Sequence, residues 1–144
     1  MTRPNQREKK PWRPIKTDGQ LEAEQVQKFL KGKPRTIICC PLEAIIIIQS
    51  HGAFRVYSAD EAYGQRLAKW LENNFGKTVG EGEIFLGLVA RDLNFGTFLA
   101  LTVHGHEGLL HYSRYPKTPF TVGDLMVVRV AEVGRMGRIG LEAV

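Results

Sequence analysis

At 144 residues and 16.2 kDa, with 43% hydrophobic and 24% charged residues, the chain has the composition of one ordinary globular domain or two very small ones. Its longest apolar run, Ala44 to Ile48, is five residues against the roughly 18 to 20 needed to cross a bilayer, which excludes a transmembrane helix. The formal charge is +5, and residues 1–20 hold +4 of it, because Arg3, Arg7, Lys9, Lys10, Arg13 and Lys16 are opposed only by Glu8 and Asp18.

Residues 1–20 also contain Pro4, Pro11 and Pro14 and little that is apolar besides Trp12 and Ile15. Such a segment cannot bury enough surface to offset its ordering entropy, so it reads as a disordered basic arm. A basic arm attracts phosphate backbones through counterion release, and Trp12 can stack on an unpaired base. The competing reading is a plain solubilising tail. An anionic membrane would suit the charge, but the prolines forbid the amphipathic helix that membrane binding needs, so no membrane partner is expected. Charge and proline at the N-terminus, with no apolar stretch behind them, do not make a secretory signal, and the protein is expected in the cytoplasm.

From Leu21 to Leu30 the apolar residues Leu21, Val26, Phe29 and Leu30 fall near helical spacing, with Gly32 and Pro34 as stop signals. Thr36 to Cys40, Ile45 to Gln49 and Ala53 to Tyr57 are rich in β-branched and aromatic residues; the last two flank Ser50-His51-Gly52 and form a hairpin. Cys39 and Cys40 are adjacent, which strains a mutual disulfide, and they read as small core side chains. Ser58 followed by Glu61 has the capping-box pattern and opens a helix with the stripe Tyr63, Leu67, Trp70 and Leu71, closed by Gly76. Residues 21–79 thus make a small α+β module, near the lower size limit for a core that stands alone.

The remaining residues, 80–144, change character. Ile84 to Ala90, Phe98 to Val103, Gly108 to Tyr112, Leu125 to Val133 and Ile139 to Ala143 are five short strands separated by glycines and polar turns, the arithmetic of a small barrel. Its core is expected from Leu88, Leu99, Leu109, Val128 and Ile139. One cluster stands out, Asn94-Phe95-Gly96-Thr97-Phe98 between the first two strands and His111-Tyr112-Ser113 at the end of the third. Strict alternation sends Phe95 and Phe98 to opposite faces, but Gly96 between them relaxes that rule, so both rings can face one way and stack on bases.

The segments Gly87 to Leu101, Glu107 to Ser113, Val122-Gly-Asp124, Val127 to Val133 and Gly137-Arg-Ile-Gly-Leu141 resemble the S1 domain of ribosomal protein S1 and polynucleotide phosphorylase, in order and nearly in spacing, over residues 84–144. The resemblance implies a five-stranded OB-fold barrel that binds single-stranded RNA. It implies Phe95 and Phe98 as stacking aromatics, His111 as a third ring or hydrogen-bonding group, and Arg138 as a phosphate contact. Where the family usually has an aspartate near the last loop, this chain has Gly134. The connection from Arg114 to Val122 is shorter than is usual in the family, and Arg114, Tyr115 and Lys117 there suit phosphate and base contact.

Other chemistry is weakly supported. His104-Gly105-His106 with His111 supplies three imidazoles, yet no carboxylate or cysteine sits at a ligand interval, so no metal is expected. The sequence has no Walker-type loop, no nucleophile elbow and no acidic set for catalytic magnesium, and Cys39 and Cys40 lie in a run too apolar to lower a thiol pKa. The fold class expected is therefore α+β, a disordered basic arm and a small module preceding an S1-like OB barrel. The function expected is non-catalytic capture of single-stranded RNA, without a cofactor, on Phe95, Phe98, His111, Arg138, Arg91 and Arg114. The rival is an adaptor whose module docks on a ribosome, an RNA polymerase or a ribonuclease, with little RNA affinity of its own; exposure of the Ile45 to Ile48 run discriminates the two.

Overall fold

In the computed structural model, residues 14–31, 33–39, 44–103, 105–113 and 120–144 are described. Residues 15–20, which composition assigns to the arm, form a strand, β1 (Ile15–Gln20), paired antiparallel along its whole length with β4 (Ala53–Ser58). The segment is poor in apolar residues because only one face is covered. On that face the Phe54 ring lies over Gly19, where a Cβ would come within 2.2 Å of it. On the other face the Asp18 carboxylate accepts two hydrogen bonds from the Arg55 guanidinium, one of them 3.0 Å long. Lys16 stands opposite Tyr57 in this strand and so belongs to the sheet.

After β1 come α1 (Ala23–Leu30), β2 (Arg35–Cys39), β3 (Ala44–Ile48), β4 and α2 (Glu61–Asn74), and the four strands form an antiparallel sheet in the order β1-β4-β3-β2. Val26 and Leu30 of α1 and Leu67, Trp70 and Leu71 of α2 share one core with Ile46, Ile48, Phe54 and Val56 of the sheet. The isoleucine run is therefore divided by the period of a strand. Ile46 and Ile48 are fully buried, while Ile45 and Ile47 are half-buried on the face away from the helices, beside Tyr57 and Arg55.

The cap of α2 differs from the expected one. Asp60, not Ser58, is the N-cap and accepts the backbone N–H of Tyr63 at 2.9 Å. Ser58 is still paired with Ile15 as the last residue of β4, buried, with its hydroxyl donating to the Asp60 carbonyl. Gly64 then allows the helix to close onto the sheet, because a Cβ there would lie 2.5 Å from Thr17 Oγ1 and 2.8 Å from Ser58 Oγ.

The second half is a closed barrel of β5 (Ile84–Asp92), β6 (Gly96–Ala100), β7 (Glu107–His111), β8 (Leu125–Val133) and β9 (Ile139–Ala143), in the order β5-β6-β7-β9-β8. All pairings are antiparallel except β7 with β9. Phe85, Val89, Leu99, Leu110, Val128 and Leu141 fill it. Two expected core residues fall elsewhere. Leu88 packs into the helix-and-sheet core, and Leu109 lies on the outer face of β7, since its neighbour Leu110 takes the inward position.

Two side chains of α2 fasten the barrel to the first sheet. Trp70 Nε1 donates to the Ala100 carbonyl at 3.0 Å. Asn74 donates to the Leu86 carbonyl at 2.7 Å and accepts the Leu86 N–H at 3.0 Å, acting toward β5 as a short length of extra strand. Among the described residues no helix is long and apolar enough to cross a membrane.

Candidate nucleic-acid interface

The outer face of the barrel carries one continuous cross-strand row. Arg91 of β5 stands opposite Phe98 of β6, Phe98 opposite Leu109 of β7, Leu109 beside Gly140 of β9, and Gly140 opposite Glu132 of β8. The two ends of the row depend on irregular pairing. The register slips between Val89 and Arg91 and again between Val130 and Glu132, while Val89 and Val130 both point into the core. An extra residue in the strand, Ala90 or Ala131, turns the residue after it back to the outer face.

The rings converge at one end of this row. Phe95, 49% exposed, meets Phe98 edge to face, with centroids 6.3 Å apart and planes at 89°. Gly96 makes the approach possible, since a Cβ there would lie 2.7 Å from the Leu110 carbonyl oxygen. The Arg91 guanidinium lies 4.2 Å from the centre of the Phe98 ring and 3.7 Å from the Glu107 carboxylate. Part of the Phe98 ring is thus covered by a flat cation, and Phe95 offers the more open aromatic surface.

His111 stands opposite Gly96 and is exposed. Its Nδ1 accepts the Ser113 backbone N–H at 3.1 Å, which in the neutral ring leaves Nε2–H as the donor. Asp92 ties the surrounding loops together. One of its carboxylate oxygens accepts the Thr97 hydroxyl at 2.8 Å and the Tyr112 hydroxyl at 2.7 Å, and the other accepts the Phe120 N–H at 3.4 Å. The bond to Asp92 holds the Tyr112 phenol above its ordinary pKa, with desolvation adding to the effect.

The loop between β8 and β9 makes another part of the wall. The Gly134 N–H donates to the Arg138 carbonyl at 2.7 Å, and the turn Arg135–Gly137 projects beyond it. Gly134 has an ordinary φ of −86°, and a Cβ there would make only van der Waals contact with Arg138, 3.6 Å from its Cβ, so the backbone does not exclude an aspartate there.

These pieces enclose a groove of about 990 Å³ that brings together Phe95, Phe98, His111, Arg138 and Arg91 from the expected site. Arg114, Tyr115 and Lys117 lie outside the described residues, as do Arg3, Arg7, Lys9, Lys10, Trp12 and Arg13 of the arm. Lys16 is on β1. Sequence reasoning did not single out Glu107, Glu132, Gly140 and Met136, which also line the groove. They set its electrostatics: Arg91 and Arg138 are matched by Glu107 and Glu132, so this wall is amphoteric rather than strongly basic. His106 at the rim is within 2.6 Å of the Thr102 hydroxyl, which anchors it to its own loop.

A closed five-stranded barrel with this strand order, and with the aromatic, histidine and glycine-arginine motifs brought to one face, fits an OB-fold. The chain's similarities are to polynucleotide phosphorylases, which have an S1 domain. The chain is 32% identical over 117 residues to a polyribonucleotide nucleotidyltransferase from Caldicellulosiruptor saccharolyticus, covering 76% of this chain and 16% of that protein. It is 31% identical over 103 residues to the enzyme of the same name from Ruminiclostridium cellulolyticum, covering 67% and 14%. The chain therefore spans about one sixth of the length of these relatives. A crystal structure of a multidomain protein with nucleic acid binding domains from Streptococcus pneumoniae is similar at a TM-score of 0.39 and 20% identity, over 71% of this chain and 35% of that one. No family model matches the chain.

Proposed function

We propose that the protein captures single-stranded RNA in the groove of its S1-class barrel and performs no chemistry on it. The observation that carries this reading is the row Arg91, Phe98, Leu109, Gly140, Glu132 with Phe95 at its end: a partly apolar strip with rings at one end and polar groups at both. Bases stack on Phe95 and on the Arg91–Phe98 pair, His111 supplies a hydrogen bond, and Arg138 meets a phosphate. Glu107 and Glu132 repel phosphates and accept hydrogen bonds from base amino groups, which holds the bases, not the backbone, against the strip. Arg114, Tyr115 and Lys117 extend the contact, and the basic arm adds long-range attraction. The similarity to nucleotidyltransferases covers only a small part of those enzymes, which supports a binding role.

Fluorescence anisotropy with labelled single-stranded and duplex RNA of equal length tests the reading. The single strand should bind at least about tenfold more tightly, because paired bases present no free faces. Equal affinities would contradict it.

The adaptor reading keeps one observation of its own. Ile45, Ile47 and Tyr57 form a half-buried apolar strip on the sheet face turned away from the helices, which suits docking on a ribosome, an RNA polymerase or a ribonuclease. Partners that remain bound in a pull-down after ribonuclease treatment would favour it; partners that vanish would favour tethering through RNA.

A further inference from the structure

Met136 is the most conspicuous side chain of the groove wall. It is 100% exposed, and its backbone has φ 62° and ψ 26°, in the left-handed region. It is followed by Gly137 at φ 76°. Two consecutive positive φ angles at a hairpin tip are the geometry of Asn-Gly or Gly-Gly turns. A long unbranched side chain in the first position is strained relative to those residues. Full exposure returns nothing for that cost, because the thioether touches no core. Among the described residues, Met136 lines the groove together with Phe95, Phe98 and His111.

We infer that Met136 is a base-contacting residue whose thioether closes over an unpaired nucleobase lying against Phe95. The inference rests on the reading of the groove as an RNA site and adds a second wall to it. A flexible, polarizable thioether adapts to either a purine or a pyrimidine face, so Met136 contributes affinity without base specificity. The turn holds it at the lip, where it closes only on a base that has already left a duplex.

The test measures RNA binding and thermal unfolding on the full chain with three variants, using labelled oligoadenylate and oligouridylate of about twelve nucleotides. Met136→Asn, which suits a positive φ, should melt at or above the parent's temperature and bind both oligonucleotides about five- to thirtyfold more weakly. Met136→Leu, which keeps the apolar reach, should bind within about twofold of the parent. Phe95→Ala reports on the groove itself. If Met136→Asn binds like the parent while Phe95→Ala is weakened, Met136 is idle and the inference is overturned with the groove reading intact. If Met136→Asn melts below the parent, the turn itself favours methionine, the role is structural and the inference is again overturned. If Phe95→Ala also binds like the parent, the groove reading falls and takes the inference with it.

Discussion

Arg91 and Glu132 sit at opposite ends of a single row that crosses all five strands of the barrel, and each is turned outward by a slip in strand register one step earlier. Opposite charges thus bracket an apolar and aromatic strip with Gly140 in it. The gap at Gly140 is occupied by the Glu132 side chain, whose Cγ lies 2.8 Å from where a Cβ on residue 140 would be. Gly140→Val should displace this flexible side chain and obstruct the strip. The expected result is a stability change within about 1 kcal/mol by denaturant unfolding and at least fivefold weaker binding of single-stranded RNA by anisotropy, at about 1 kcal/mol for one lost stack. Unaltered binding would place the bases elsewhere on the barrel.

The junction between the first sheet and the barrel depends on Asn74, which is buried and satisfies both backbone groups of Leu86. Asn74→Ala leaves that donor and acceptor buried without partners and should lower the unfolding free energy by about 2 to 5 kcal/mol in a urea melt. An unchanged midpoint would mean that water replaces the amide without loss.

Tyr112 gives the loops around the groove a dependence on alkaline pH. Its folded pKa is raised, first by the hydrogen bond to Asp92 and then by desolvation. The bond therefore contributes fully below the unfolded tyrosine pKa and is lost as pH rises through the folded value. Ultraviolet titration of the phenol should show Tyr112 ionising above the ordinary tyrosine range, and Asp92→Ala should return it toward that range. A Tyr112 titration identical in the two proteins would dissociate the phenol from Asp92.

The arm can be removed without touching β1. Residues 1–13 hold Arg3, Arg7, Lys9, Lys10 and Arg13 against Glu8, a net of +4. Deleting them should weaken RNA binding and reduce the slope of log affinity against log salt by about 3 to 4, at about 0.7 to 0.9 per neutralised phosphate. An unchanged slope would mean that the arm does not meet the backbone.

The five barrel strands were legible because glycine and polar turns punctuate them, and the aromatic cluster because Gly96 separates two phenylalanines. The parts that were not legible have particular physical reasons. β1 hides in a segment of basic composition because one of its faces is solvated and the other is packed through Gly19, which contributes no apolar side chain. Nothing marks Ala131 as a bulge, so alternation alone turns Glu132 inward and hides it, whereas Arg91, after the other bulge at Ala90, is marked by its charge. Leu109 and Leu110 are chemically equivalent in sequence, and only the pairing of β7 with β6 decides which one points inward. Ser58 satisfies the capping-box pattern as well as Asp60 caps the helix; the length of the β1–β4 pairing decides between them.

If Phe95 and Phe98 hold RNA rather than the fold, binding and unfolding measured together on Phe95→Ala with Phe98→Ala should show a loss on the order of 2 to 6 kcal/mol in affinity for single-stranded RNA, with a stability change well below the roughly 3 to 5 kcal/mol expected for each fully buried phenylalanine. His111→Ala should add to the loss only on strands long enough to reach it. A double variant that folds and binds single-stranded RNA as tightly as the parent would contradict the claim.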